Sequence, residues 1–176
     1  MATRHTHPVE PAATETDTEA VAQAYVRMWN ARDYAAIPDR VSESFVMYDP
    51  AAAVADVPGP AGEVHGRAGL GQFMDAIDTA FPDFEITILD MLTDETLAMY
   101  EVRLTMTHEG PFGGLPPTGR RVEIRGVSIL RVTDGVVDEH RFHTNMADVT
   151  EQLGLSFPAI LRQLPRLVLG KVRSSL

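Results

Sequence analysis

The sequence predicts an α+β domain in which helices gather on one face of an antiparallel sheet. Apolar residues recur at helical spacing in the first half of the chain, up to Phe81, and at a spacing of two from Phe84 onward. The four strands predicted in the second half follow one another with short connections. Short connections between consecutive strands favour an antiparallel meander over parallel crossovers, which need an intervening helix.

Length, charge and cysteine content limit the classes of protein that fit. The 176 residues suit one domain. With 25 acidic and 15 basic residues the net charge is -10, so the chain as a whole repels nucleic acid and anionic membranes. It has no cysteine, which excludes disulfides and thiolate chemistry. No stretch approaches the roughly eighteen apolar residues of a membrane span, so we expect a soluble, cytoplasmic protein.

The chain is predicted to begin with a tail and a first helix. Residues 1–15 show no apolar periodicity and are predicted to be flexible, and the domain is expected to cover residues 16–154. Thr16 and Glu19 form a capping box, which predicts that the helix starts at Thr16. Apolar residues then follow at helical spacing, as a stripe for a sheet to cover: Val21, Tyr25, Met28 and Trp29.

Three further elements and a long loop are predicted before the meander. A short helix is expected around Tyr34–Arg40 and a strand over Phe45–Tyr48. The segment Ala51–Gly66 is rich in Ala, Pro and Gly without periodicity, which predicts a loop. Apolar residues on one helical face predict a third helix over Arg67–Phe81.

The second half of the chain predicts four long strands and a helical end. The strands are Phe84–Thr93, Leu97–His108, Arg121–Val132 and Val136–Asn145. A helix over Met146–Leu153 follows. Residues 155–176 carry four basic and no acidic side chains, with apolar residues at helical intervals interrupted by Pro165. We therefore expect an amphipathic helical extension that docks onto the acidic surface of its own domain or of a partner subunit.

Alternation along these strands separates an inward from an outward face. On Leu97–His108, an apolar row that includes Tyr100 ends at His108. On the next strand, Gly126 and Ser128 are the small members of the inward row and are expected to leave space for a ligand. On the last strand, the inward face is expected to carry alternate residues: Val136, Asp138, His140, Phe142 and Thr144.

A set of short motifs is the most specific signal in the chain. The longest is THEGPFGGLPPTGR, from Thr107 to Arg120. The others are Trp29-Asn30, Asp49-Pro50, Phe81-Pro82-Asp83, Asp134-Gly135, Glu139-His140 and Gln152-Leu153-Gly154. In this order and spacing they resemble the SnoaL-like polyketide cyclase, or ester cyclase, family over about residues 18–155.

The resemblance implies a fold, a class of reaction and the absence of a cofactor. The fold is the nuclear transport factor 2-like, or cystatin-like, fold. In it a curved antiparallel sheet wraps around N-terminal helices and encloses an apolar, cone-shaped pocket; here an extra C-terminal helical tail would follow. In the polyketide members that pocket catalyses aldol ring closure of an aromatic polyketide ester without a cofactor. The implied partner is therefore a small hydrophobic ligand or substrate.

One part of the family's pattern differs in this chain. Polyketide cyclases are similar in having a His on the last strand, followed two positions later by an Asp that is taken as the acid/base. His140 matches the His, but Phe142 stands at the Asp position. Another version of the motif places an Asp nearer the final helix, where this chain has Asn145. Neither Phe nor Asn transfers a proton, so the family's acid/base role does not carry over to these positions.

Proton transfer is therefore expected from other side chains. We predict His140 as the base and His108 as its orienter or acid, because imidazole titrates near neutral pH and both residues occupy inward rows. Asp49 is a further catalytic candidate, and Tyr48 or Ser128 is the candidate to stabilise an oxyanion. Ligand contacts are predicted for Tyr48, Trp29, Tyr100, Ser128 and Phe142.

Each candidate also has a purely structural interpretation. A buried His at a strand end is equally typical of a hydrogen-bonded structural residue. Asp49 before a proline is typical of a turn start, and Tyr25 with Trp29 is typical of a core stripe. No His pair on a predicted helix or strand has a spacing typical of a metal site. Two functions stay open: cofactor-independent aldol, isomerisation or dehydration chemistry on a hydrophobic carbonyl compound, or binding of a small apolar molecule without converting it.

The outward face of the meander predicts a homodimer. Charged and apolar side chains are mixed on it, among them Glu101, Arg103, Val127 and Ile129. Such a mixture is typical of a surface that pairs with another copy of the chain.

Overall fold

A computed structural model describes residues 17–156 of the chain. The elements are, in chain order, α1 (Thr18–Ala31), a 3-10 turn (Tyr34–Ala36), α2 (Ile37–Arg40), β1 (Val41–Tyr48), a second 3-10 turn (Pro50–Ala53), β2 (Glu63–His65), α3 (Gly66–Ala80), β3 (Glu85–Thr93), β4 (Leu97–Thr107), β5 (Arg121–Thr133), β6 (Val136–Thr144) and α4 (Met146–Gln152). The predicted α+β class is confirmed. The predicted tail over residues 1–15 and nearly all of the predicted extension over residues 155–176 lie outside the described residues.

The described strands form one six-stranded sheet in the order β2, β1, β6, β5, β4, β3. β3 to β6 are the predicted antiparallel meander. β1 pairs in parallel with β6, and β2 pairs antiparallel with β1. The prediction of a loop throughout Ala51–Gly66 is therefore wrong at Glu63–His65, which form β2. Three residues are too few to show a period of two, so the sequence carries no local signal for this strand.

Helix α1 is fixed at both ends by side-chain hydrogen bonds. Its N-cap is Asp17, whose carboxylate accepts a hydrogen bond from the N–H of Ala20 at 3.1 Å. The helix thus begins at Thr18, two residues after the predicted start at Thr16, which lies outside the described residues. At its other end the Asn30 amide makes two 2.8 Å hydrogen bonds with the backbone N–H and C=O of Ile86 on β3. These bonds anchor the helix to the sheet.

The apolar stripes of α1 and α3 pack against one face of the sheet and form the core. The inward rows predicted for β4 and β5 are buried, as alternation requires. Among the largest fully buried side chains are Tyr25, Phe45, Leu70, Phe73 and Leu130. Burial of each such side chain contributes about 1.5–3 kcal/mol, so the helices and the sheet are held together by this layer.

The inward row of β6 changes parity at a β-bulge. Successive pairs between β5 and β6 skip Asp138, which is left as an extra residue. As a result Val137 is fully buried, whereas Val136 and Asp138 are only half-buried. The prediction that Val136 and Asp138 point inward is therefore wrong. Beyond the bulge, His140 and Phe142 are buried, as predicted.

Candidate active site

The helices and the sheet enclose a cavity of about 250 Å³. Side chains from α1, α3, α4 and from β1 and β3 to β6 line it, and most of them are aromatic or aliphatic. A few polar groups suited to proton chemistry also face it: Tyr25, Asp49, Tyr100, Ser128 and His140. A mostly apolar cavity with a few convergent polar groups is typical of a small-molecule site.

His140 lies at the centre of a buried polar network. Its Nδ1 lies 3.2 Å from the Tyr25 hydroxyl, and its Nε2 lies 3.0 Å from Oγ of Ser128. The Tyr25 ring also stands edge-on to the imidazole, with ring centres 5.5 Å apart at 88°. Tyr100 is the direct partner of Ser128 in the register between β4 and β5. The network therefore joins α1, β4, β5 and β6 at one place in the cavity wall.

Burial keeps this network uncharged at neutral pH. Desolvation lowers the pKa of His140 to about 3, so its imidazole is neutral and one ring nitrogen is a donor while the other is an acceptor. Desolvation also raises the pKa of the Tyr25 and Tyr100 phenols well above their ordinary value. An imidazole with so low a pKa is a weak proton acceptor. The geometry thus suits His140 to orienting the neighbouring hydroxyls rather than to the predicted role of base.

Asp49 places a carboxylate in the same cavity, at the end of β1. One of its oxygens accepts a hydrogen bond from the N–H of Ala51 at 2.7 Å and starts the 3-10 turn. The other has no hydrogen-bond or ion-pair partner among residues 17–156. Asp49 is 8% exposed, and burial raises the pKa of its carboxyl to about 6. Asp49 therefore both starts the turn and lines the cavity, two roles that the sequence analysis treated as alternatives.

Four of the five predicted ligand contacts lie in the cavity wall, and one does not. The four are Trp29, Tyr100, Ser128 and Phe142. Tyr48 lies outside: it is 38% exposed, and the Arg141 guanidinium sits 5.1 Å from its ring centre. Alternation along β1 explains this placement, because Met47 is the inward residue and its neighbour Tyr48 must point outward.

His108 is buried as predicted, but it does not line the cavity itself and packs on Phe81, which does. It is 1% exposed and is not among the residues that line the cavity. Its ring packs on Phe81 with centres 5.2 Å apart, and the N–H of Thr118 donates to Nδ1 at 3.3 Å. Nδ1 is thus an acceptor, so Nε2 carries the proton and makes no hydrogen bond of ordinary geometry among the described residues. Burial lowers the pKa of this imidazole, and a contact with the Gly110 backbone opposes that shift. These contacts hold the loop Gly110–Gly119 against the end of α3, away from His140.

The space that Gly126 leaves in the sheet is filled by a side chain of the chain itself. A Cβ at Gly126 would lie 2.4 Å from the Phe142 ring. The ring occupies the position that any larger residue on β5 would need. The prediction that Gly126 leaves room for a ligand is therefore wrong, whereas Ser128, two residues further on, does face the cavity.

Sequence reasoning missed the part that Tyr25 plays. It sits in a helical apolar stripe, where an aromatic residue is typical of core packing, and nothing local indicates a polar contact. Its hydroxyl meets His140 across 115 positions of sequence. Two loops also reach the cavity, since Val54 and Phe112 line it and Gly113 packs on Val54.

Two further properties concern only the described part of the chain. Between residues 17 and 156 no group of three or more His, Asp or Glu side chains is arranged to hold a metal ion. Within the same limits, every helix is too short or too polar to cross a membrane.

Comparisons with known proteins match both sequence and fold. The family model for SnoaL-like polyketide cyclase matches residues 19–153. AclR of Streptomyces galilaeus, a proposed hydroxylase, is 29% identical with a TM-score of 0.63, covering 80% of this chain and 98% of that one. IdmH of Streptomyces antibioticus, a proposed polyketide cyclase, is 25% identical with a TM-score of 0.68, and the match covers 78% of this chain and 99% of IdmH. A Catenulispora acidiphila protein with a ketosteroid isomerase-like fold is 15% identical with a TM-score of 0.62, and the match covers 79% of this chain and 94% of that one. At this identity the likeness is one of fold alone. Among curated proteins, none matches the chain significantly.

Proposed function

Because the chain belongs to the SnoaL-like polyketide cyclase family, we propose that it transfers a proton, without a cofactor, on a hydrophobic carbonyl compound held in the cavity. Aldol cyclisation, isomerisation and dehydration all begin with such a step. One observation carries the proposal: an unpaired carboxylate, Asp49, faces the same apolar cavity as two phenol hydroxyls. A base and hydrogen-bond donors for an enolate oxygen are therefore present together.

Asp49 takes the role of the base in this proposal. Its carboxylate accepts the proton from the carbon next to the carbonyl, and the electron pair moves to the carbonyl oxygen, giving an enolate. A pKa of about 6 leaves the carboxylate mostly ionised at neutral pH, yet basic enough to hold the proton and return it elsewhere. Asp49 also raises the pKa of Tyr25 electrostatically, which supports their facing one common space.

Tyr25 and Tyr100 are the proposed donors to the enolate oxygen. Their phenols stay protonated, and the apolar wall strengthens hydrogen bonds to a developing charge. The tautomer of His140 decides whether the hydroxyl proton of Tyr25 is free to reach the enolate oxygen. With the proton on Nδ1, His140 donates to Tyr25, whose own proton is then available; with the proton on Nε2, Tyr25 donates to His140 instead. His140 is thus proposed as a positioning residue, and His108 as a support for the rim loop.

The proposal is tested without knowledge of the natural substrate. The protein is incubated with 1-tetralone, a hydrophobic ketone, in D2O, and deuterium at the carbon next to the carbonyl is followed by NMR. We expect catalysed exchange, and a loss of about 100-fold or more in Asp49→Asn. Asparagine keeps the hydrogen bond to Ala51, so the fold is retained. Asp56→Asn, on an exposed residue of the same loop, is the matched control. Equal exchange by the two variants contradicts the assignment.

Binding without conversion is the second candidate, and Phe142 favours it. Its ring stands at the position of the family's acid and fills the gap at Gly126, making the wall more apolar. In this case 1-tetralone would bind, yet its exchange would not exceed the rate in buffer. Saturable binding with no catalysed exchange would therefore select this function over the first.

We also propose that the outer face of the sheet pairs with a second copy of the chain. Met99 and Val127 are exposed there, at 41% and 37%, next to the ion pair between Arg125 and Glu101 at 3.2 Å. Apolar area framed by both signs of charge is self-complementary. Sedimentation equilibrium should give a dimer at micromolar concentration and a monomer for Val127→Glu. A monomeric wild-type protein across that range would contradict the proposal.

A further inference from the structure

The charges around the cavity are unbalanced. The titratable side chains among its described lining residues are Tyr25, Asp49, Tyr100 and His140. Tyr25, Tyr100 and His140 are neutral near pH 7, because burial disfavours their charged forms. No Lys or Arg is among the lining residues that the structure describes. The ionised Asp49 carboxylate therefore has no counter-charge in the cavity wall.

Asp49 brings to the cavity wall a carboxylate oxygen that has no hydrogen-bond partner among residues 17–156. Asp49 is more than nine-tenths buried, and the N–H of Ala51 occupies only one of its two oxygens. A carboxylate removed from water without a cation is costly, and a bound cation in contact with it recovers part of that cost. A neutral or anionic ligand leaves the cost in place, and an anion adds repulsion. An apolar cavity with such a carboxylate is expected to favour a cationic ligand over a neutral or anionic one of the same shape.

Aromatic rings supply the second element of a cation site. The Tyr25 and Trp29 rings line the cavity with centres 6.5 Å apart at 74°. Trp29 in turn meets the Phe73 ring at 6.0 Å and 79°. Rings in near-perpendicular pairs offer faces in more than one direction. A ring face attracts an organic cation while its apolar area packs the hydrocarbon part of the same molecule.

From these two features we propose that the cavity binds hydrophobic organic ammonium compounds, with the ammonium on the free oxygen of Asp49 and the apolar body against the aromatic wall. Carboxylates of the same shape are excluded. The inference uses the cavity of the proposed function but does not rest on its reaction. An amine held on Asp49 occupies the proposed base, so such compounds would act as competitive inhibitors of proton transfer.

Three probes of one shape and different charge test the proposal. 1-Naphthylmethylamine is protonated at pH 7.5, 1-naphthalenemethanol is neutral and 1-naphthoate is an anion. Their dissociation constants are measured by calorimetry on the full chain, on Asp49→Asn and on the control Asp56→Asn. We expect the amine to bind the full chain and the control about tenfold more tightly than the alcohol, with the anion weakest. Asp49→Asn should bind the amine and the alcohol with equal affinity, because the charge that favours the amine is gone.

Equal affinities for amine and alcohol in the full chain would overturn the proposal, as would a preference for the amine that survives in Asp49→Asn. A measurement on the unmodified chain guards against misfolding of that variant. The Asp49 carboxyl is titrated by carbon NMR with and without the amine. We expect the amine to lower the Asp49 pKa by about one unit or more, because the ammonium favours the carboxylate. Tyr25, Tyr100 and His140, which face it from α1, β4 and β6, stay neutral throughout that range. An unchanged pKa would overturn the proposal.

The two proposals fail separately. If 1-tetralone exchange depends on Asp49 but the amine has no advantage, only the ammonium site is wrong. If the amine binds through Asp49 but no exchange occurs, the ammonium site stands and the proposed reaction is wrong.

Discussion

The two buried histidines of this chain look alike in sequence and differ in what surrounds them. His140 has a polar neighbour at each ring nitrogen and lines the cavity. His108 has Thr118 at one ring nitrogen and makes no hydrogen bond of ordinary geometry at the other among the described residues, and it packs on Phe81 without lining the cavity itself. Both side chains are inward, so alternation predicts their burial equally well. The two residues differ in their position along the strand and not in the face they occupy. That position lets His140 line the cavity, whereas His108, at the end of β4, contacts the loop Gly110–Gly119.

The largest expected effect is the dependence of acid stability on His140. The folded-state pKa of His140 is about 3, against an ordinary value of 6.5. The unfolded chain therefore binds a proton below pH 6.5 that the folded chain takes up only near pH 3. This linkage removes about 5 kcal/mol of stability as the pH falls through that window. Urea unfolding of the full chain and of His140→Gln should show a difference in free energy that changes by this amount. The control His143→Gln, on an exposed residue of the same strand, should show no such change.

The rate of proton transfer should depend on His140 much more than on His108. In 1-tetralone exchange, His140→Ala is expected to lose about 100-fold, because Tyr25 and Ser128 lose their orienting partner. His108→Ala should stay within about threefold of the full chain, since its contact with the cavity wall is with the apolar Phe81 ring and not with Asp49 or the two phenols. Comparable losses of exchange rate in both variants would contradict this prediction and would mean that His108 also takes part in proton transfer.

At neutral pH, removal of the His108 side chain should lower the free energy of unfolding. His108→Ala removes the ring that packs on Phe81 and leaves the Thr118 N–H without its acceptor, at a cost of about 2–3 kcal/mol. The loss should appear in urea unfolding at pH 7, and proteolysis within Gly110–Gly119 should become faster. An unchanged midpoint would mean that the loop does not depend on this side chain.

Asp49 should show the opposite pH dependence from His140. Its folded-state pKa is raised from 3.8 to about 6, so the folded chain binds this proton before the unfolded chain does. Ionisation between pH 4 and pH 6 therefore costs stability, by about 2 kcal/mol after allowance for relaxation. Asp49→Asn should gain that amount relative to the full chain between pH 4 and pH 8, while losing exchange activity. A variant that is relatively less stable at pH 8 than at pH 4 would contradict the buried carboxylate.

Much of the fold was predictable because its signals are local. A period of two marks β3 to β6 over nine or more residues each, and a helical stripe ending before Pro82 marks α3. The parallel pairing of β1 with β6 has no local signal, since the period of a strand does not name its neighbour. The bulge at Asp138 and the strand β2 escaped prediction because each involves too few residues to change a period.

The candidate site was predictable only in part, for the same reason. Alternation found Tyr100, Ser128, His140 and Phe142, whose positions follow from the face of a long strand. It did not find the contact of Tyr25 with His140, which depends on how α1 lies across the sheet. It assigned empty space to Gly126, since only the packed structure places the Phe142 ring there.

The parallel pairing of β1 with β6 also sets an order of assembly. The cavity takes Tyr25 from α1, Asp49 from the end of β1 and His140 from β6, which is the last of the described strands to leave the ribosome. Closing so long a loop is entropically costly and slow, and synthesis proceeds at about 5–20 residues per second. For several seconds β1 therefore waits without its neighbour, exposing a strand edge that only residues after 135 can cover. A nascent chain has no cavity to fill, so a ligand can aid folding only at its final step, after synthesis has passed β6.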